Sequence, residues 1–115
     1  MKRIENFFME NVDIPGNARI FVEPLGANQY CIRIPLEGIY IFQSYESTCA
    51  KFYRADGVLV VFPSATISKT TSKYFRKFLE ECGLTDDQIL EIKKMVKKES
   101  FGKDCPLMID THGNW

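Results

Sequence analysis

The chain has 115 residues, with 15 Lys and Arg against 15 Asp and Glu, so it fits one domain, and no global charge selects a nucleic-acid, membrane or acidic partner. A composition 45% hydrophobic and 13% aromatic supplies one buried core and excludes intrinsic disorder for most of the length. Cys31, Cys49, Cys82 and Cys105 form no C-x-x-C element for a zinc ribbon, a redox pair or a haem attachment, and reduced thiols are the expectation.

Residues 1–17 are an N-terminal segment in which Met1-Lys2-Arg3 is followed by Glu5, Asn6 and Glu10 instead of an uninterrupted apolar run. That pattern predicts a cytoplasmic protein without a secretory leader. No apolar stretch approaches the roughly 18 residues a membrane helix needs, so a membrane partner is not expected.

Residues 18–63 alternate with period two or run in short β-branched and aromatic clusters, punctuated by Gly, Pro, Asn or Asp, which predicts five strands. The first covers about 18–23 and leads through a loop, Pro24-Leu25-Gly26-Ala27-Asn28, to a second at 29–34. There Tyr30, Ile32 and Ile34 share one face and Cys31 and Arg33 the other, which predicts one buried and one wetter face. Pro35-Leu36-Glu37-Gly38 turns into Ile39-Tyr40-Ile41-Phe42, and Ser44-Tyr45-Glu46-Ser47 connects to a strand near 48–54. Asp56-Gly57 suits a primed two-residue hairpin turn before Val58-Leu59-Val60-Val61-Phe62. Such short connections predict an antiparallel meander.

The period then changes. Phe75, Phe78, Leu79 and Cys82 fall on one helical face, which Gly83 terminates. Thr85 is a suitable N-cap, Asp86 and Asp87 fit the first turn of a second helix, and Lys93, Lys94, Lys97 and Lys98 crowd its end. The helical pair spans 68–99, and Ile89, Ile92 and Val96 give the second helix an apolar side. The expected fold is a single α+β domain, an approximately five-stranded antiparallel meander with two C-terminal helices packed on one face. Residues 100–115 have no clear period and predict an irregular tail.

The most informative segment is Ser68-Lys69-Thr70-Thr71-Ser72-Lys73-Tyr74-Phe75-Arg76-Lys77-Phe78-Leu79. At 100° per residue Lys69, Lys73, Arg76 and Lys77 gather opposite the apolar face. Hydroxyls at Ser68, Thr70, Thr71 and Ser72 lie where a first helical turn leaves unpaired N–H groups, so hydroxyls, amides and ammonium groups can converge on a phosphate. The plainer reading has the hydroxyls capping the helix while Arg76–Glu80 and Lys77–Glu81 make ordinary i,i+4 pairs. A helix-turn-helix reading is disfavoured because Asp86, Asp87 and Glu91 would face phosphates.

A second candidate surface is aromatic. Were Tyr40, Phe42, Lys51 and Tyr53 to share an open sheet face, with Tyr45 beside them, rings and cations would interleave as on surfaces that stack single-stranded bases or anchor a protein partner. Candidates for catalysis are thin. His112 is the only histidine, and with Cys105 it falls in the predicted tail, so no enzyme, cofactor or metal is expected.

Gln43-Ser44-Tyr45, then Ala50-Lys51, a Gly-containing hairpin, Ser68-Lys69-Thr70-Thr71-Ser72-Lys73 and Phe78-Leu79 together resemble a family of short uncharacterised domains encoded by bacteriophages and plasmids. Its pattern is similar to Q-S-Y followed by S-x-T-T-S-K-H before an F-L helix, and the likeness spans about residues 38–80. Tyr74 stands where that pattern often has His. The resemblance implies a small mobile-element accessory protein in a bacterial host cytoplasm, binding a host protein or nucleoprotein complex as a monomer or homodimer. An inhibitor of a bacterial defence system, anti-CRISPR-like, is one form of it. The alternative expectation is a nucleic-acid or phosphate-binding module built on the Ser/Thr/Lys helix start. A neutral charge balance disfavours a DNA mimic.

Overall fold

The computed structural model of the protein describes residues 2–4, 19–66, 69–98 and 106–112. Strands β1 (Lys2–Ile4), β2 (Phe21–Gly26), β3 (Gln29–Ile34), β4 (Ile39–Ser44), β5 (Ser47–Tyr53), β6 (Val58–Val61) and β7 (Leu107–Asp110) form one sheet. Its order is β1-β7-β6-β5-β4-β3-β2, and every neighbouring pair is antiparallel. A 3₁₀ turn (Pro63–Thr66) leads from β6 to α1 (Lys69–Glu81), and α2 (Asp86–Lys98) follows. The fold is therefore α+β, with the expected five-strand meander as β2 to β6 and both helices on one face.

Two corrections concern the C-terminal segment and the first hairpin. The segment 100–115 is not wholly irregular: Leu107, Ile109 and their neighbours pair with β6 on one side and β1 on the other. Leu107 and Ile109 are buried in the core, which explains why a four-residue strand after Pro106 is stable there. The foreseen loop at 24–28 is mostly strand, since β2 continues to Gly26 with a bulge between Pro24 and Gly26. Only Ala27-Asn28 remains as turn, Asn28 taking φ 61°.

The hairpins also differ in type from expectation. Asp56-Gly57 closes no two-residue turn; residues 54–57 form a four-residue loop held by Gly57 N–H donating to the Arg54 carbonyl at 3.3 Å. Gly57 has φ 67°, a conformation L side chains rarely adopt. The tight connections are instead Ala27-Asn28 and Tyr45-Glu46, closed by the pairs Gly26–Gln29 and Ser44–Ser47.

The helix-facing side of the sheet carries Cys31, Phe42, Ala50, Phe52, Leu59, Val61, Leu107 and Ile109, and these meet Phe75, Phe78, Leu79, Ile89, Ile92 and Val96. Phe42 is the pivot. Its ring stacks on Phe75 with centroids 6.2 Å apart and on Phe78 at 5.6 Å. A bulge between Phe42 and Gln43 leaves Cys49 as an extra residue on β5, so consecutive Cys49 and Ala50 are both buried and break the period of two.

Gly83, at φ 82°, ends α1. Leu84 N–H donates to the Leu79 carbonyl at 3.3 Å and Gly83 N–H to that of Glu80 at 3.0 Å, a Schellman arrangement. Thr85 then starts α2 through a reciprocal capping box. Gln88 N–H donates to Thr85 Oγ1 at 3.2 Å, and Thr85 N–H donates to Gln88 Oε1 at 2.9 Å, satisfying two otherwise orphaned donors.

The expected division into a buried and a wetter face does not hold: Cys31 is in the core beneath the helices, and on the face away from them Ile34, Ile39, Val58 and Val60 are buried and Ile41, Lys51 and Tyr53 half-buried. Burial of Phe42 between sheet and α1 predicts that Phe42→Ala costs about 3–5 kcal/mol, by lost transfer energy plus a cavity under the helix. Urea denaturation of both proteins measures it; a loss under about 1 kcal/mol would show that α1 does not depend on this ring.

Candidate functional site

The outer side of α1 is set by what its inner side buries. Thr71, Phe75, Phe78 and Leu79 point into the molecule, so Lys69, Thr70, Lys73, Arg76 and Lys77 are exposed. The cations of this stripe are not equivalent. Arg76 Nε meets Glu80 at 3.3 Å and its Nη2 approaches Asp86 at 3.9 Å, surface pairs of the kind worth about 0.5 kcal/mol. It also lies near Lys93 of α2, whose ammonium is held below its ordinary pKa by burial and then by the Arg76 charge.

Lys69, Lys73 and Lys77 have no carboxylate partner among the described residues. Lys77 does not pair with Glu81; its Nζ lies 5.0 Å from the centroid of the Tyr74 ring, and Lys73 Nζ lies 5.7 Å from the same ring. Cation–π attraction orients ammonium groups without cancelling their charge. Tyr74 in turn lies across Gly26 of β2, where any side-chain carbon would collide with the ring. The glycine therefore lets the edge hairpin act as a shelf for Tyr74, and Tyr74 as a post between two lysines.

Thr71 does not belong to the exposed set. It is buried, and its Oγ1 hydrogen-bonds Ser44 Oγ at 3.4 Å. This contact joins the Gln43-Ser44-Tyr45 segment to the helix start, 27 residues later. Beside it lies Gln29, the cross-strand partner of Ser44, fully buried and with no hydrogen-bond partner for either side-chain amide atom among the described residues. An amide left unpaired in such a site is costly, and the patch beneath the helix start is polar. Ser68 lies outside the described residues.

Tyr45 marks the rim. It is 63% exposed yet adopts φ 54°, where a bulky residue is an outlier costing about 1–3 kcal/mol. Its N–H donates to the Asn28 carbonyl at 2.6 Å, and Gln43 Nε2 donates to the Tyr45 carbonyl at 2.8 Å. Tyr45, the exposed lysines of α1 and the β2–β3 turn are thus tied to one another through Asn28, Ser44–Thr71 and Gly26–Tyr74.

The aromatic sheet surface does not form. Tyr40 is opposite Phe52 and packs on it at 6.4 Å between ring centroids, while Phe42 is core; both face the helices. Lys51 and Tyr53 have the opposite parity and lie half-buried on the other side, where burial raises the Tyr53 phenol pKa. Register separates the two pairs, so Tyr40 and Phe42 cannot share a face with Lys51 and Tyr53.

Elsewhere, nucleophiles are muted. Burial pushes the Cys31 thiol up to about 11 against the pull of Arg33, and burial raises Cys82 further, so both are protonated at neutral pH and unreactive. Cys105 lies outside the described residues. His112 is exposed and its ring covers Gly57, next to Thr111, whose N–H and Oγ1–H both donate to the Gly57 carbonyl at 2.8 and 2.5 Å. The Asp110-Thr111-His112 turn thus braces the 54–57 loop. No group of three or more His, Cys, Asp or Glu that could hold a metal occurs among the described residues.

Sequence reasoning missed Ser44, Gln29, Gly26 and the role of Tyr74. The available signal was that Ser44 and Thr71 both fall in the boxes carrying the family resemblance. A model described as a family of unknown function, DUF8033, matches residues 16–97, so the chain belongs to that family. The matched span contains the β2–β6 meander, α1 and α2 up to Lys97; β1 and β7 lie outside it. No curated protein matches the chain, and no solved structure does. No helix among the described residues is long and apolar enough to cross a membrane.

The shelf arrangement predicts that Gly26→Ala and Tyr74→Ala are coupled. Alone, Gly26→Ala displaces the ring and costs about 1–2 kcal/mol; in the Tyr74→Ala background that cost largely disappears, a coupling of roughly 1 kcal/mol in a double-mutant cycle. Additive effects would separate the glycine from the tyrosine.

Proposed function

We propose that the chain is a small non-enzymatic binding protein that engages a host macromolecule through the exposed side of α1 and the adjoining Tyr45 turn. The observation that carries the reading is the Ser44–Thr71 contact, because it ties the Tyr45 turn to a helix start whose Lys69 and Lys73 have no carboxylate partner among the described residues. A strained, exposed aromatic next to unpaired cations suits recognition better than it suits stability. The resemblance of the same segments to phage- and plasmid-encoded domains supports a mobile-element accessory protein acting in a bacterial cytoplasm. In that setting the binder would occlude a surface of a defence protein or nucleoprotein complex, in the manner of an anti-CRISPR inhibitor. The lost aromatic sheet face removes Tyr40, Lys51 and Tyr53 from the binding set and leaves Tyr45, Lys69, Thr70, Lys73 and Lys77.

A second reading is favoured by Lys73 and Lys77 flanking Tyr74: two cations around a ring can hold a nucleic-acid backbone without reading its sequence. Salt distinguishes the two. A phosphate-backbone contact through three lysines loses roughly tenfold or more in affinity between 50 and 200 mM salt, and the dependence flattens on Lys69→Glu with Lys73→Glu. Titration of a fluorescent single-stranded oligonucleotide measures this. For a protein target, tagged wild-type chain retains a host complex from bacterial lysate that the double variant and Tyr45→Gly both lose, while their melting temperatures stay at or above wild type. A variant that binds as well as wild type in both assays overturns the assignment of this surface.

A further inference from the structure

Strand β2 ends the sheet, and no described strand pairs with its outer side. Three of the large apolar side chains most exposed among the described residues follow one another there: Ile20 at 49%, Phe21 at 47% and Val22 at 58%. The others, Leu36, Tyr45 and Leu90, are scattered, as single exposed apolar residues commonly are. An unpaired, apolar edge invites another strand.

Which backbone groups are free follows from the ladder. Tyr45 N–H donates to the Asn28 carbonyl, so Asn28, and by alternation Tyr30 and Ile32, turn their backbone groups toward β4. Cys31 and Arg33 turn theirs toward β2, where Glu23 and Phe21 are their partners. The N–H and C=O of Val22 therefore point out of the sheet, as does the carbonyl of Pro24, which has no N–H to offer. Pro24 and the bulge after it guard the turn end of the edge and confine pairing to the stretch around residues 19–23.

We propose that this edge pairs antiparallel with β2 of a second copy, about a twofold axis at Phe21. In that register Ile20 and Val22 of opposite copies exchange backbone hydrogen bonds, and the two Phe21 rings meet in the non-hydrogen-bonded position, where side chains approach most closely. Arg19 falls opposite Glu23 of the second copy, twice by symmetry. Glu23 already meets Arg33 at 3.2 Å on its own chain, so its carboxylate would sit between two guanidinium groups. Shifting the centre to Val22 would oppose Ile20 to Pro24 and lose a donor on each side. Self-complementary charge and the missing proline donor thus select one register, as a twofold interface requires. The axis runs across the sheet plane, leaving both α1 helices on the same face of a continuous sheet with their lysines available together.

Sedimentation velocity and light scattering of the full chain over a concentration series test the proposal. Wild type dimerises. Val22→Pro, which removes an outward N–H at an edge position that tolerates proline, weakens dimerisation at least tenfold, as does Arg19→Glu, a surface change that leaves folding intact by circular dichroism. Phe21→Cys forms an intermolecular disulfide under mild oxidation and Ile20→Cys does not, which fixes the register. A wild-type monomer at every concentration overturns the proposal. So does a dimer indifferent to Val22→Pro and Arg19→Glu, or an edge that takes up only an unrelated extended peptide.

Discussion

The packing of Phe42 against Phe75 and Phe78 is the constraint on which the surface of this protein depends. A ring centred in β4 and held between two rings one helical turn apart leaves α1 a single rotational setting on the sheet. Thr71 must then point down at Ser44, and Lys69, Lys73 and Lys77 must point out. Hydrophobic burial, a non-directional force, acquires direction here through the spacing of aromatic residues on two elements. The orientation of charge is thus a consequence of core packing.

Several small departures from ideal structure lie around the same corner of the molecule. Tyr45 has positive φ, the buried Gln29 amide has no hydrogen-bond partner among the described residues, β2 carries a bulge, and Gly26 lies under an aromatic ring. Each costs stability, and the loop before β6 carries a departure of the same kind, Gly57 at φ 67° under the His112 ring. Around Phe42 and the capping box at Thr85 local preference and tertiary contact agree; around Tyr45 and Gln29 they conflict.

Much of the fold was legible because its signals are periodic. Five strands of the meander and both helices follow from spacings of two and of three to four, with Gly83 and Thr85 as punctuation. Strand β7 was not legible, because four alternating residues after Pro106 are too few to show a period and their stability comes from β6 and β1. The candidate site was legible in half. Exposure of the lysine stripe follows from the helical repeat, but Tyr40 and Tyr53 look alike in sequence, and only the register of β4 against β5 sends them to opposite faces. Thr71 reads as an exposed cap until Ser44 is placed beneath it, a contact between segments that no local pattern connects. The pairing of lysines with Tyr74 rather than Glu81 depends on Gly26, which is more distant still in sequence.

The central claim is that the α1 lysines are the contact surface when this protein is bound. Amine-reactive footprinting by mass spectrometry, on the chain alone and in its isolated complex, tests it most directly. The account predicts that Lys69, Lys73 and Lys77 lose reactivity in the complex while Lys94, Lys97 and Lys98 on α2 keep theirs. Protection of the α2 lysines with α1 still fully reactive would contradict it.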